Sequence, residues 1–267
     1  MTVRTEKNGA VWTIIHDRPE ARNAMDPKSA DALTAAFLAD KNASVAVFYG
    51  AGGVFCAGWD LKFVSTLNSE HPLGELDIPP TGPRRNGGEI PRGPLGPSRL
   101  ELDKPVIAAI EGPAVAGGME LGLWCDFRVM AEGSYFGVYC RRWGVPLIDG
   151  GTVRLPRIVG QGRALEIILT GRKVPADECL NIGLCEYVTP EGCAREKAEE
   201  LAEEIARFPQ TCVRADRRST IKSHGLCVRE ALIQEWYNGR EALIEDGVAG
   251  ASRFKNGLGR HGDFARI

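Results

Sequence analysis

Apolar residues fall in short unbroken runs in the first half of the chain and at helical spacing in the second. Val45-Ala46-Val47-Phe48-Tyr49 and Pro105-Val106-Ile107-Ala108-Ala109-Ile110 read as β-strands, each running into a glycine-rich turn. Val3 to Lys7 and Ala10 to His16 read as a hairpin around Asn8-Gly9. Asp26 before Pro27 reads as an N-cap followed by proline at the first helical position, and Ala32, Leu33, Ala36, Phe37 and Leu38 continue that helix. Asp126 to Ala131 reads as a further strand. Beyond Thr152 the pattern turns helical. Glu191 to Arg207 carries Ala194, Ala198, Leu201 and Ile205 on one stripe, and helices are predicted over Thr211 to Lys222 and Val228 to Glu245. Such stripes need a partner, either the domain's own core or another subunit.

The turns that follow the two central strands carry the most information. The first is Gly52-Gly53-Val54-Phe55-Cys56-Ala57-Gly58-Trp59-Asp60-Leu61, and the second is Ala116-Gly117-Gly118-Met119-Glu120-Leu121. Glycine lets backbone approach a ligand where a Cβ would block it. Two such turns can aim two peptide N–H groups at one oxygen, which is the geometry that stabilises an enolate or a tetrahedral oxyanion. The second turn also opens a helix, so the positive end of that helix points at the same place. Glu120 follows in the helix's first turn.

Between Ser65 and Ser98 the composition shifts to proline, glycine and charge, as in Pro79-Pro80-Thr81-Gly82-Pro83-Arg84-Arg85-Asn86-Gly87-Gly88. This stretch reads as a mobile surface loop rather than a packed core element. Because it leaves directly after the first glycine turn, it also reads as a lid over the site. At 267 residues the chain suits one large domain or one domain with a helical extension, the second divided here into 1–200 and 201–267. Apolar residues make up 43% and charged residues 25%, with a net charge of −2, which gives no basic block for nucleic acid. No apolar run reaches the roughly 20 residues that span a bilayer, and the first residues lack a signal peptide's apolar core. Eight cysteines without CxxC spacing and four scattered histidines argue for free thiols and against a metal site. A cytoplasmic protein is expected.

Six motifs in register resemble the crotonase (enoyl-CoA hydratase/isomerase) superfamily along nearly the whole chain. They are Arg18-Pro19-Glu20-Ala21-Arg22-Asn23-Ala24-Met25; Phe55 through Leu61; and Gly117-Gly118-Met119-Glu120-Leu121 with Cys125-Asp126. Gly144-Val145-Pro146 with Gly150-Gly151-Thr152 and Arg154-Leu155-Pro156 form the fourth. Leu169-Thr170-Gly171-Arg172, then Ala176-Asp177-Glu178 with Gly183-Leu184, complete the order. The resemblance implies an α/β fold, a spiral core of repeated ββα units with a C-terminal helical region that makes trimer contacts. It implies a homotrimer or a hexamer built as a dimer of trimers. The implied substrate is an acyl-CoA thioester, so that coenzyme A belongs to the substrate and no separate cofactor is called for.

Carried over by position, the N–H groups of Trp59 and Gly117 form the oxyanion hole, where one donor is worth about 3 kcal/mol of transition-state stabilisation. Glu120 matches the first of the family's two catalytic glutamates. The second, four residues before the glycine that matches Gly144, is here Cys140. A thiol is mostly neutral at pH 7 and cannot replace a carboxylate that orients water. Arg141 and Arg142 beside it could lower its pKa or point to solvent. Asp149 reads either as a substitute acid/base or as a turn aspartate bonding its own backbone. Trp59 reads equally as pocket wall or core, and Asp60 as a cap of the turn after it. For the CoA portion, Arg22 and Lys62 are candidates for phosphate, Ala24 and Ala57 for the adenine, and Phe254 and Lys255 for a neighbouring subunit's ligand. Trp59, Asp60, Leu61 and Gly117 complete the substrate-binding set. The leading expectation is addition of water to a 2-enoyl-CoA with Glu120 as acid/base. An enoyl-CoA double-bond isomerase and a catalytically silent acyl-CoA binder are the alternatives.

Overall fold

The computed structural model describes residues 2–39, 43–67 and 92–259. Its centre is a six-stranded sheet in the order β1-β2-β3-β4-β6-β9. Strands β1 (Val3–Asn8) and β2 (Val11–His16) form the expected antiparallel hairpin. Parallel pairing then runs through β3 (Val45–Gly50), β4 (Val106–Ile110), β6 (Phe127–Ala131) and β9 (Tyr187–Thr189). The unbroken apolar runs now have a cause: a parallel sheet is covered on both faces, so alternate residues are buried on opposite sides. Val45, Val47, Ile107 and Ala109 pack against Ala194, Ala198, Leu201 and Ala202 of the helix Ala194–Ala206. Ala46, Phe48, Ala108 and Ile110 belong to the opposite core, with Leu33 and Phe37 of the helix Pro27–Leu38 and with Met119 and Leu121 of the helix Gly117–Trp124.

The stripe on the Ala194–Ala206 helix is thus answered by the chain's own sheet. The 200/201 division falls inside that continuous helix, and the helical extension starts at Gln210. There the helix Gln210–Lys222 is tied back by Arg217, which pairs with Asp126 at 2.9 Å, and by Arg218, which pairs with Asp103 at 2.9 Å. The last predicted helix is straight α-helix over Val228–Ala242 only. A π-helical turn, Leu243–Gly247, joins it to a further helix, Val248–Lys255. Val228, Leu232, Trp236, Ile244 and Val248 stay exposed on this arm.

A second sheet of β5 (Pro113–Val115), β7 (Tyr135–Gly137) and β8 (Lys173–Pro175) sits beside the first. An isolated bridge between Cys56 and Ala114 brings the first glycine turn against it. One sequence expectation needs adjustment here. Asp26 caps its helix through Ser29 N–H as predicted, but the Ser65–Ser98 stretch is not surface loop throughout. Leu95 and Ser98 are fully buried, and Leu95 belongs to the core that holds the glycine turns. Composition hid this, because proline and glycine around one leucine look like a linker. The remainder, 68–91, lies outside the described residues, as do His71 and His261. Among the described residues no helix is long and apolar enough to cross a membrane.

His16 ends β2 with no exposed surface, and neither ring nitrogen has a partner among the described residues. Burial, then the charge of Arg18, lower its pKa to about 4, against smaller opposing effects of Asp26 and Asp17. The neutral ring is therefore favoured in the fold. Its contribution is present above the unfolded pKa near 6.5 and is lost as pH falls from there toward 4, about 3 kcal/mol in all. Replacing His16 with Phe should flatten the loss of stability between pH 6.5 and 4, measured by urea unfolding at each pH. Parallel curves for the two proteins would contradict this.

Candidate active site

Two turns meet at Gly58 and Gly117. Gly58 has φ +87°, and a Cβ on it would lie 2.8 Å from Gly117 N. A Cβ on Gly117 would collide with Leu95, and one on Gly118 with the carbonyl oxygen of Cys56. Only glycine allows the backbones this close. Ala116, before Gly117, holds φ 54° and ψ −122°, a conformation costly for any residue with a Cβ. It is held there by its N–H, which donates to Gly137 O at 2.8 Å, while its carbonyl accepts from Met119 N at 3.0 Å. Among the described residues, the amides of Trp59 and Gly117 meet no acceptor, whereas their neighbours Gly58 and Asp60 are engaged.

The first turn is fastened from below. Met25 and Trp59 form a bridge, with Met25 N donating to Gly58 O at 2.7 Å and Asp60 N to Met25 O at 2.8 Å. Asp60 caps Leu61–Val64 by accepting from Lys62 N, as expected, and also pairs with Arg18 at 2.8 Å. Asn23 is fully buried. It accepts from Arg18 N and donates to the carbonyls of Ala51 and Val54. Arg18 and Asn23 are structural centres of this turn that the sequence reading quoted without a role.

Ala57, Trp59, Leu61, Ala116, Gly117, Glu120, Tyr139, Cys140, Trp143, Val145, Pro146 and Asp149 line one cleft. All five predicted catalytic positions are among them. Trp59 walls the cleft and also packs on the core, so both readings of it hold. The Glu120 side chain is nearly buried, and its Oε1 accepts from Asp149 N at 2.9 Å and Gly151 N at 2.8 Å. Burial, then the charge of Asp149, raise its pKa to about 7, against those two amides and Arg154. A carboxyl group that titrates near neutrality can accept and return a proton at pH 7.

Asp149 does not bond its own backbone, which corrects the turn reading. Its Oδ1 accepts from Leu95 N at 3.1 Å and from the Ser98 hydroxyl, and its Oδ2 has no partner among the described residues. Burial raises its pKa against the hydrogen bonds from Ser98 and Leu95 and the charges of Arg99 and Arg154. Cys140 is buried in the same cleft. Burial and then the charge of Glu120 push its thiol up, with Arg141 opposing. Arg142 lies over the Tyr139 ring at 4.1 Å instead of serving the thiol.

The proposed CoA contacts are more dispersed. Ala57 and Leu61 line the cleft, and Arg22 and Lys62 are exposed. The Ala24 carbonyl already accepts from Arg18 at 2.9 Å. Phe254 and Lys255 end the last helix and lie outside the cleft lining. Ser98, Arg154 and the cleft-lining aromatics Tyr139 and Trp143 belong to the site and had no assigned role in the sequence reading. Only the position of Arg154 inside a family motif could have pointed to it.

Asp149→Asn should remove the charge that lifts Glu120 while keeping the Asp149 amide. The Glu120 midpoint should then fall from about 7 toward the ordinary carboxylate range. Carbon-13 titration of glutamate-labelled protein, assigned with Glu120→Gln, reads it directly. An unmoved midpoint would remove Asp149 as a cause.

The sequence profile of the Enoyl-CoA hydratase/isomerase family matches residues 6–73 and 98–231. Enoyl-CoA hydratase EchA19 of Mycobacterium tuberculosis is 33% identical over 251 residues, covering 90% of this chain and 88% of the relative. Carnitinyl-CoA dehydratase of Salmonella typhi is 34% identical over 220 residues, covering 78% of this chain and 76% of its own length. The crystal structure of enoyl-CoA hydratase EchA1 from Mycobacterium marinum superposes with a TM-score of 0.83 at 31% identity, over 96% of both chains. With its glycine turns, cleft and sheet order in place, this chain belongs to the enoyl-CoA hydratase/isomerase family of the crotonase superfamily.

Proposed function

We propose that the protein adds water across the double bond of a 2-enoyl-CoA thioester, with Glu120 as the proton carrier. The observation that carries this reading is a buried carboxyl group, held by two amides and titrating near neutrality, in a cleft bounded by the Gly58 and Gly117 turns. The thioester oxygen would accept from Trp59 N–H and Gly117 N–H. As hydroxide oxygen bonds to the β-carbon, Glu120 carboxylate takes the other proton of the water. The electron pair moves onto the thioester oxygen as an enolate, and the same carboxyl group returns the proton to the α-carbon. Cys140, neutral and buried, supports one glutamate working alone and therefore slowly. The exposed apolar arm from Val228 to Val248 supports a homotrimer or a dimer of trimers, and eight free thiols support a cytoplasmic setting.

A second reading is favoured by Asp149 Oδ2, which has no partner among the described residues and belongs to a residue of the same cleft. Two carboxyl groups beside one enolate could move a proton between the α- and γ-carbons, which is double-bond isomerisation without water. Arg22 and Lys62 remain our candidates for the CoA phosphates, with Ala24 and Ala57 offering backbone to the adenine and Phe254 and Lys255 serving a neighbouring subunit.

Pure protein incubated with crotonyl-CoA and with a 3-enoyl-CoA should give a water adduct, resolved by mass and retention. Glu120→Gln should lose roughly a hundredfold or more of this rate. Isomer without adduct would select the second reading. Thioesters that bind and stay unchanged would leave a silent acyl-CoA binder.

A further inference from the structure

One guanidinium joins the two segments that carry the site. Arg154 projects from the first turn of the helix Gly151–Val159. Its Nη1 donates to the Asp149 carbonyl at 2.8 Å and its Nη2 to the Ser98 carbonyl at 2.7 Å. Ser98 and Asp149, distant in sequence, are joined a second time by the Ser98 hydroxyl on the Asp149 carboxyl group. Gly150, with φ +100°, makes room for this: a Cβ there would collide with Nη1. On the other side of the same turn, the amides of Asp149 and Gly151 hold Glu120. A single turn of backbone therefore separates the arginine from the carboxyl group. Arg157, one helical turn on, is exposed, whereas Arg154 is mostly buried.

We propose that Arg154 is the positioning residue for Glu120: by fastening the Ser98 segment to the 149–151 turn, it fixes the two amides that orient the carboxyl group. The inference rests on Glu120 being the reacting group. An arginine suits this task because its planar fork can grip two carbonyls at once, which the single ammonium of lysine does less well. Its charge also acts on the site. Glu120 faces it from the Gly117–Trp124 helix, Asp149 from the turn, and Cys125 from the end of that helix, with Arg157 repelling it along its own helix. Arg99 faces Asp149 from the 92–99 segment, and Cys140 faces Glu120 from the opposite wall.

Arg154→Met and Arg154→Lys test this, with folding checked by circular dichroism and thermal melting. In Arg154→Met the Glu120 midpoint, read by carbon-13 titration, should rise above the wild-type value because a nearby positive charge is lost. Arg154→Lys should keep the midpoint close to wild type, yet kcat should fall about a hundredfold with KM little changed, because misplacement affects the transition state more than binding. Folded Arg154→Met and Arg154→Lys with wild-type midpoint and wild-type kcat would overturn the proposal. Should Arg154→Met fail to fold, Arg154→Lys alone decides, since wild-type kcat in it would refute positioning. If the wild-type protein turns over neither thioester, the hydratase reading fails separately. The Arg154→Met midpoint then decides for Arg154, an unmoved value refuting it.

Discussion

The site depends on a close approach between two pieces of backbone, the turns at Gly58 and Gly117. A methyl group on Gly58 would collide with Ala116 and the Gly117 amide, and one on Gly117 would collide with Leu95 and crowd Gly58. That contact sets where the Trp59 and Gly117 amides lie, and it starts the helix that carries Glu120 one turn later. It also explains why so much of the surrounding core is ordinary packing, with Leu95, Cys56 and Phe55 filling the space behind the turns. Ala116 bears the cost of the arrangement in its backbone angles, and the hydrogen bonds of its own N–H and carbonyl hold it there.

A carboxyl group placed beside such apolar surface must be neutralised or held. Glu120 is held by amides rather than by a direct ion pair. This choice has consequences for chemistry. An arginine bonded straight to the carboxylate would press its pKa down and leave a poor base. Two amides orient one oxygen while burial keeps the group near neutrality, and Arg154 contributes its charge from behind the turn. Orientation and proton affinity are thereby supplied by different groups.

Local features of the chain were legible from its sequence because local physics makes them. The hairpin at Asn8-Gly9, the Asp26 cap, the strand runs and the Asp60 cap each involve neighbours only a few residues apart. Glu120 and Cys140 were legible through the motifs around them. Contacts between distant segments leave no such trace. Leu95 and Ser98 sit in a run of glycine and proline that reads as a linker, and only their bonds to Asp149 make them part of the site. The same blindness left Asp149 open between a substitute acid/base and a self-bonded turn residue, and left Arg18, Asn23 and Arg154 without roles.

The thiol at position 140 and the carboxyl group at 149 are best understood together. Carboxyl groups sharing a buried site cannot all ionise, since each raises the pKa of the others. Glu120 is already raised by Asp149, and a third carboxyl group at position 140 would add to that repulsion within one cleft. A neutral thiol there keeps the number at two. The second carboxyl group of the cleft belongs to Asp149, whose one oxygen is fixed by Ser98 and Leu95 and whose other oxygen has no partner among the described residues. Cys140 therefore limits the repulsion on Glu120 to that of one neighbouring carboxyl group, Asp149.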